Sequence, residues 1–258
     1  MDYDLSDEKK AIDDTKAVVD LSGIEVEDRR QKIVDEIRKA YEKWGFFQVI
    51  NHGVPSSVLE GMIDGTRKFH EQDVEMKKEY YSSNPIRKVR YDSNLHVYKT
   101  KGKTSNWKDT LFIPGVVSHP EEIPLVCRKA SLEYINHVTK LADILLGLLS
   151  EALGLKPDHL KETECGKGQT LACHYYPILS NDKFVSINHR VIAKKVGPRI
   201  SVACFFGGGS VHPKMYGPIK ELIIEENPPL YKEFLVADYT AKFFSKPLDK
   251  TVLDLFRL

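Results

Sequence analysis

The chain has 258 residues, of which 38 are basic and 37 acidic, so its formal net charge is +1 at pH 7. A chain of this length can bury a sizeable core, and its balanced charge lacks the positive field that attracts nucleic acid. The longest apolar run, residues 144–149, is far too short to cross a bilayer, and the four cysteines show no Cys-x-x-Cys spacing. With no targeting peptide visible, these features predict a cytoplasmic protein with reduced thiols and no nucleic-acid or membrane partner.

The N-terminal part divides into a polar tail, residues 1–17, and a predicted cap region, residues 18–115. In the cap, Ile33, Ile37 and Trp44 have the spacing of an amphipathic helix over residues 29–44. His52 lies in an Asn-His-Gly sequence that predicts a turn and not a metal ligand. The other predicted elements of the cap are a strand over 46–50, a helix over 55–80, a β-hairpin arm over 88–98 and a strand over 107–113.

A linker and a long core helix are predicted for residues 116–166. Apolar residues recur every three or four positions between residues 122 and 153, which is typical of a helix that packs one face into a core. Gly154 is well placed to end this helix, and Pro157 prevents its continuation.

The last predicted region, residues 167–258, contains three short segments with strand-like alternation: 171–176, 183–191 and 199–206. Side chains two apart on a strand share a face, so Arg199 and Ser201 point the same way. A guanidinium and a hydroxyl on one face are well suited to binding a carboxylate. A strand arginine is also commonly a solvated surface group, and a lone histidine such as His189 is commonly structural, so both interpretations stay open on the residues alone.

Several motifs occur in the order known from one protein family. They are Trp44-Gly45-Phe46-Phe47-Gln48-Val49-Ile50-Asn51-His52-Gly53-Val54-Pro55, Asn106-Trp107-Lys108-Asp109-Thr110-Leu111, Ser180-Asn181-Asp182-Lys183-Phe184, Asn188-His189-Arg190-Val191, Gly197-Pro198-Arg199-Ile200-Ser201 and Asp238-Tyr239. With them the chain resembles the plant 2-oxoglutarate/Fe(II)-dependent dioxygenases, in particular the branch of 1-aminocyclopropane-1-carboxylate oxidase homologues. The resemblance extends over nearly the whole chain.

The resemblance implies an α+β fold with a double-stranded β-helix (jelly-roll) core and an N-terminal helical cap. In that family, two histidines and one carboxylate bind Fe(II) and leave open positions for 2-oxoglutarate and oxygen. It implies that His189 is a metal ligand, that Arg199 and Ser201 bind the far carboxylate of 2-oxoglutarate, and that Tyr176 contacts the near one. Intact relatives use Fe(II), 2-oxoglutarate and ascorbate as activator to hydroxylate or desaturate a small specialised metabolite.

One part of the family pattern is missing. Relatives supply the first two iron ligands as His-x-Asp, in a segment of roughly sixty residues that follows the Tyr-Tyr-Pro motif. Here Tyr176-Pro177 leads almost directly to Ser180, and none of the nine histidines is followed two residues later by Asp. His119-Pro120-Glu121 is the one His-x-carboxylate sequence, and it lies in an acidic loop well before the site. The sequence therefore predicts a truncated β-helix core, with residues 167–258 as its remnant and no catalytic residue assigned.

Three functional hypotheses follow. The first is a dioxygenase derivative whose catalysis is impaired because two of three iron ligands are missing. The second is an active oxidoreductase whose metal site is rebuilt from His189 and His174, with Asp182 more readily explained as a turn former. The third is a non-catalytic module that binds a dicarboxylate or self-associates through exposed sheet edges.

Overall fold

In the computed structural model, the described residues are 17–82, 87–93, 109–115, 119–163, 168–169, 180–184, 200–204, 206–207, 215–245 and 252–258. Their helices are α1 (Glu27–Lys43), α2 (Ser56–His70), α3 (Val74–Lys78), α4 (Leu125–Ala152), α5 (His159–Glu162) and α6 (Val236–Ser245). Their strands are β1 (Val18–Asp20), β2 (Gln48–Ile50), β3 (Arg90–Ser93), β4 (Asp109–Phe112), β5 (Gly168–Gln169), β6 (Phe206–Gly207), β7 (Met215–Tyr216) and β8 (Phe234–Leu235). Short 3-10 helices cover Pro120–Glu122, Lys220–Leu222 and Leu253–Phe256.

Helix α1 confirms the amphipathic helix predicted for residues 29–44 and begins two residues earlier. Its apolar side chains Ile33 and Ile37 are fully buried. The helix ends because Gly45 adopts φ +69, a left-handed conformation that glycine reaches without steric cost. Its amide donates back to the carbonyls of Ala40 and Tyr41, which satisfies acceptors that a helix end leaves free.

The single helix predicted for residues 55–80 is wrong, because the chain leaves helical geometry after His70 and re-enters it at Val74. Asp73 has extended backbone angles, φ −54 and ψ 149. The Lys77 Nζ donates to the carbonyl oxygen of His70 at 2.8 Å. This side-chain contact satisfies one of the four carbonyls that lack helical partners at the end of α2. Two short helices, α2 and α3, thus occupy the region for which one long helix was predicted.

Helix α4 is the long core helix and spans 28 residues. It starts at Leu125, three residues after the predicted start, because a 3-10 turn and Pro124 precede it. Gly154 follows its end with φ +78, which confirms the predicted C-terminal glycine. On the facing helix, a Cβ at Gly65 would lie 3.2 Å from the Cβ of Cys127. Glycine at this position therefore permits the close approach of α2 to α4.

The main hydrophobic core joins the N-terminal helices to the C-terminal part of the chain. Its fully buried members include Ile33, Leu148, Phe184 and Tyr231, with Phe256 close to full burial. A smaller core lies under the β3–β4 hairpin and is formed by Val89, Ile123 and Cys127. Residues from the predicted cap and the predicted core remnant thus share one apolar interior.

Within the described residues, the strands form two-stranded sheets. The pair β1–β2 is parallel, and β3–β4, β5–β6 and β7–β8 are antiparallel. The strand predicted for 199–206 is wrong over residues 200–204, which belong to no ladder, whereas Phe206 is paired. No helix among the described residues is long and apolar enough to cross a membrane, and the location in the cytoplasm stays a prediction.

We expect Ile37→Ala to lower the free energy of unfolding by about 2–5 kcal/mol, because it removes a fully buried side chain and leaves a cavity between helices. The matched control is Ile63→Ala on α2, whose side chain is 41% exposed and whose loss should change stability by less than about 1 kcal/mol. Urea unfolding followed by circular dichroism measures both. Equal losses in the two variants would contradict the assignment of the core.

Candidate functional site

The predicted site residues fall largely on parts of the chain outside the described residues. His189, Arg199, Tyr176 and the alternative ligand His174 all lie there, so their predicted roles stay predictions. Ser201 is described. The described part of the site consists of Ser201 and of the elements that flank the other predicted residues.

Residues 200–204 keep the alternation predicted from the sequence although they pair with no strand. Ile200, Val202 and Cys204 are half-buried, whereas Ser201 and Ala203 are exposed. The two-residue period therefore sets which side chains face the protein, as expected for extended backbone. It leaves the Ser201 hydroxyl on the side of the segment that faces solvent.

Helix α4 approaches this segment at Tyr134. The Tyr134 hydroxyl lies near enough to the Cys204 thiol, three residues after Ser201, for each group to influence the pKa of the other. Burial raises the pKa of Tyr134, and the neighbouring Cys204 raises it further. Burial likewise raises the pKa of the Cys204 thiol, so both groups are neutral at physiological pH and Cys204 is not a reactive thiolate.

The short ladder between β5 and β6 lies beside the same region. Gln169 pairs with Phe206 and Gly168 pairs with Gly207 in an antiparallel register. Strand β5 ends shortly before the first residue of the 171–176 segment, and β6 begins at the last residue of the 199–206 segment. The pairing thus joins the ends of the two segments that contain Tyr176 and Arg199.

The motif Ser180-Asn181-Asp182-Lys183-Phe184 forms a tight turn that is buried at both ends. Asn181 and Asp182 have φ values of +51 and +65, and Asn and Asp are the residues that best tolerate this left-handed region after glycine. The Ser180 Oγ accepts a hydrogen bond from the Phe184 amide at 3.0 Å. The Phe184 ring stacks on Tyr41 of α1 with centroids 4.8 Å apart. The turn therefore fixes where the segment containing His189 begins.

Asp182 is a turn residue, as predicted, and its carboxylate is fully engaged. Its Oδ1 accepts a hydrogen bond from the Tyr231 hydroxyl at 2.6 Å, and its Oδ2 accepts one from Arg257 at 2.9 Å. Burial raises the pKa of Tyr231, and the hydrogen bond to Asp182 raises it further, so the tyrosine stays protonated and donates. With both oxygens bound, Asp182 is a poor replacement for a missing iron ligand.

Two other histidines, which the sequence does not favour as metal ligands, have local hydrogen-bond or ion-pair partners. His52 accepts a hydrogen bond from the Val54 amide through its Nδ1 at 3.1 Å, which confirms its role in the turn. His119 contacts Glu121 at 3.0 Å on the surface, and both side chains are more than 60% exposed. Within the described ranges, no three His, Cys, Asp or Glu side chains are grouped to hold a metal ion.

Sequence reasoning missed the contacts that hold the site's neighbours in place. The Tyr134–Cys204 contact and the bonds of Asp182 connect residues 49 to 75 positions apart, and no short motif indicates them. One local signal existed for the turn itself. Asn and Asp are, after glycine, the residues that best tolerate a positive φ, and here they are consecutive.

His70 is the described histidine with a clearly shifted pKa. Its ring lies at the end of α2, with centroids 5.3 Å from the Phe69 ring and 5.8 Å from the Tyr91 ring. Burial lowers the pKa of His70, Asp109 on β4 opposes that shift, and Lys77 on α3 adds to it. The neutral imidazole is therefore the form that the folded protein prefers.

Comparisons with known proteins agree with the motifs. A family model described as the N-terminal domain of non-haem dioxygenases in morphine synthesis matches residues 17–137. The chain is 37% identical to 1-aminocyclopropane-1-carboxylate oxidase homolog 7 of Arabidopsis thaliana, over 96% of this chain and 88% of the relative. It is 39% identical to deacetoxyvindoline 4-hydroxylase of Catharanthus roseus, over 93% of this chain and 77% of the relative.

The fold also matches a solved structure, the crystal structure of JOX2 in complex with 2OG, Fe and JA. The TM-score is 0.78 at 24% identity, over 93% of this chain and 88% of that chain. The alignment with homolog 7 extends over 309 positions but contains 96% of these 258 residues, or about 248. About 60 positions of that relative therefore have no counterpart in this chain.

We expect the free energy of unfolding to fall as the pH is lowered from 7 to 5, with a measurable part of the fall due to His70. Its folded pKa is depressed, so the unfolded state binds the proton first, and the stability present above the ordinary histidine pKa of about 6.5 is lost below it. Replacement His70→Gln should make this slope shallower. One proton sets an upper limit of about 1.4 kcal/mol per pH unit, and solvent screening at this half-buried site keeps the effect lower.

Urea midpoints at pH 7, 6 and 5 measure the slope in each variant. Asp109→Asn is the informative companion, because it removes the charge that favours protonated His70 and should make the slope steeper. Parallel slopes in the three proteins would contradict the proposed role of His70.

Proposed function

Because the chain belongs to the plant 2-oxoglutarate/Fe(II)-dependent dioxygenase family, we propose that it is a derivative of these oxidoreductases that does not turn over 2-oxoglutarate. The observation that carries the proposal is the missing His-x-Asp pair. His189 then remains as a single protein ligand where the family uses three.

The residues present do not fit the family's iron site. A facial triad needs a second histidine and a carboxylate, and no histidine in this sequence has an Asp two residues later. The described residues add no alternative, since Asp182 is bound by Tyr231 and Arg257, and Glu121 lies on the surface with His119. Loss of a residue that only supports a ligand typically costs roughly 10–100-fold in metal affinity or activity, and loss of two ligands should cost more.

Two observations support a missing segment in the core. About 60 positions of homolog 7 have no counterpart in this chain, a total large enough to include a segment of the size that contains His-x-Asp in relatives. Ser201 is exposed, and residues 200–204 belong to no ladder. Both are expected if the strands that normally cover the clamp are absent.

A second candidate function is binding of a dicarboxylate without turnover. Arg199 and Ser201 would bind one carboxylate of 2-oxoglutarate and Tyr176 the other, as in intact relatives. The β5–β6 ladder favours this candidate, because it joins the ends of the two segments that contain these residues. A charge-assisted clamp of this kind does not depend on the metal.

Self-association is a further proposal, based on the sheet formed by β1 and β2. Val18, Phe46 and Ile50 are 43%, 48% and 46% exposed on or next to these strands. Apolar edge strands tend to pair with other chains. We expect a dimer or larger species in size-exclusion chromatography at micromolar concentration, and Ile50→Lys should shift it to monomer; a wild-type monomer at 100 µM would contradict this proposal.

We expect no succinate from 2-oxoglutarate when the purified protein is supplied with Fe(II), ascorbate and oxygen, because the chain lacks two of three iron ligands. Succinate is quantified by mass spectrometry against His189→Ala, and homolog 7 of Arabidopsis thaliana is assayed beside it as an intact relative. Wild type and variant should give the same background.

More than one succinate per protein molecule would overturn the proposal and favour a rebuilt metal site. In that case His189→Ala and His174→Ala should each abolish turnover. Activity that is lost in the first and kept in the second would place the other ligands elsewhere.

We expect 2-oxoglutarate to raise the melting temperature if the clamp is intact. A ligand at 100 times its Kd stabilises the folded state by about 2.7 kcal/mol, which is a shift of several degrees for a chain of this size. Arg199→Met should abolish the shift because it removes the charge that binds the far carboxylate. Arg67→Met is the matched control, since Arg67 is half-exposed on α2 and far along the chain. Equal shifts in both variants, or none in the wild type, would contradict dicarboxylate binding at the clamp.

A further inference from the structure

The C-terminal residues of the chain bind the turn that precedes His189. We propose that residues 252–258 act as a latch, in which Arg257 holds the turn of residues 180–184 in its left-handed conformation and thereby positions the segment that follows. The inference concerns a contact outside the candidate clamp and does not depend on catalysis or on 2-oxoglutarate binding.

The turn needs such support because its backbone is strained. Two successive residues other than glycine, Asn181 and Asp182, have positive φ values. Residues in sparsely populated backbone regions persist where surrounding contacts determine them. The contacts that do so here come from the C-terminal part of the chain.

Asn181 supplies the buried half of these contacts. Its side chain is 2% exposed and uses both ends of the amide. The Nδ2 donates to the Asn227 Oδ1 at 3.1 Å and to the Pro228 carbonyl at 2.8 Å, and the Oδ1 accepts from the Leu230 amide at 2.7 Å. The turn is thus bound to residues 227–230, which lie against the end of the chain.

Arg257, in the latch, supplies the more exposed contacts to the turn. Its guanidinium donates to Asp182 and lies over the Tyr231 ring, 5.0 Å from the centroid, while the Tyr231 hydroxyl donates to the same carboxylate. Backbone hydrogen bonds hold the latch beside residues 230–232. The Lys232 amide donates to the Phe256 carbonyl and the Leu258 amide donates to the Leu230 carbonyl, both at 3.0 Å.

Apolar packing of Phe256 also holds the latch against the core. Phe256 is 2% exposed and lies 4.8 Å from the Phe234 ring and 5.7 Å from the Tyr239 ring between centroids. Arg257 can therefore be replaced while Phe256 keeps the latch packed in the core. This separation makes its effect on the turn measurable.

The experiment is amide hydrogen exchange by NMR on the full chain, comparing wild type, Arg257→Met, Arg257→Lys and the control Arg67→Met. Two amides report directly on the turn: Phe184, bonded to Ser180, and Leu230, bonded to Asn181. We expect both to exchange about two- to fivefold faster in Arg257→Met, because an ion pair between partly exposed side chains is lost. Arg257→Lys should recover most of the protection, and amides of α2 should exchange at wild-type rates in all variants.

Unchanged exchange at Phe184 and Leu230 in Arg257→Met would overturn the proposal. Equal acceleration throughout α1, α2 and α4 would also overturn it, because Arg257 would then contribute only to global stability. The same rates in Arg257→Lys as in Arg257→Met would show that the positive charge is not what holds the turn, with the same consequence.

Discussion

The packing of α4 against α1 and α2 is the interaction on which the rest of the structure depends. Arg30 forms a two-pronged ion pair with Glu151, and Arg38 donates to the carbonyl of Ala152 at 2.8 Å. The Arg38 contact caps the C-terminal end of α4, where a helix leaves carbonyl acceptors without partners. The same helix end contributes Leu148 and Leu149 to the main core, so helix capping and core formation occur at one place.

Among the described residues, the C-terminal half of the chain contacts this helical layer through individual side chains as well as through the shared main core. Phe184 stacks on Tyr41 of α1, and Cys204 contacts Tyr134 of α4. Phe256 and Tyr231 complete the main core from the end of the chain. Such attachment by single side chains differs from a continuous sheet, in which every residue of a strand is held by its neighbours. It gives individual residues, among them Asp182 and Arg257, a large share in the placement of their segments.

The helices could be predicted from the sequence because their signals are local. The spacing of Ile33 and Ile37 and the glycine at position 154 predicted α1 and α4 to within a few residues. The break after His70 could not be predicted, because the apolar spacing continues through it and the capping Lys77 is seven residues away. The alternation of residues 200–204 predicted which side chains share a face, but not the absence of a ladder, since pairing depends on a partner strand elsewhere in the chain. Of the candidate site, the motifs identified the turn of residues 180–184, and the long-range bonds that hold it had no sequence signal.

The two halves of the family's chemistry differ in how much of the chain they need. Under the proposed function, a carboxylate clamp formed by residues two positions apart, Arg199 and Ser201, would be less affected by the loss of a distant segment than a metal site. A facial triad combines ligands from two segments in one geometry, and His189 alone would not supply it. Absence of the His-x-Asp segment between Tyr176 and Ser180 would therefore remove metal binding before it removed recognition of the co-substrate's carboxylates. This difference is the physical basis for proposing dicarboxylate binding.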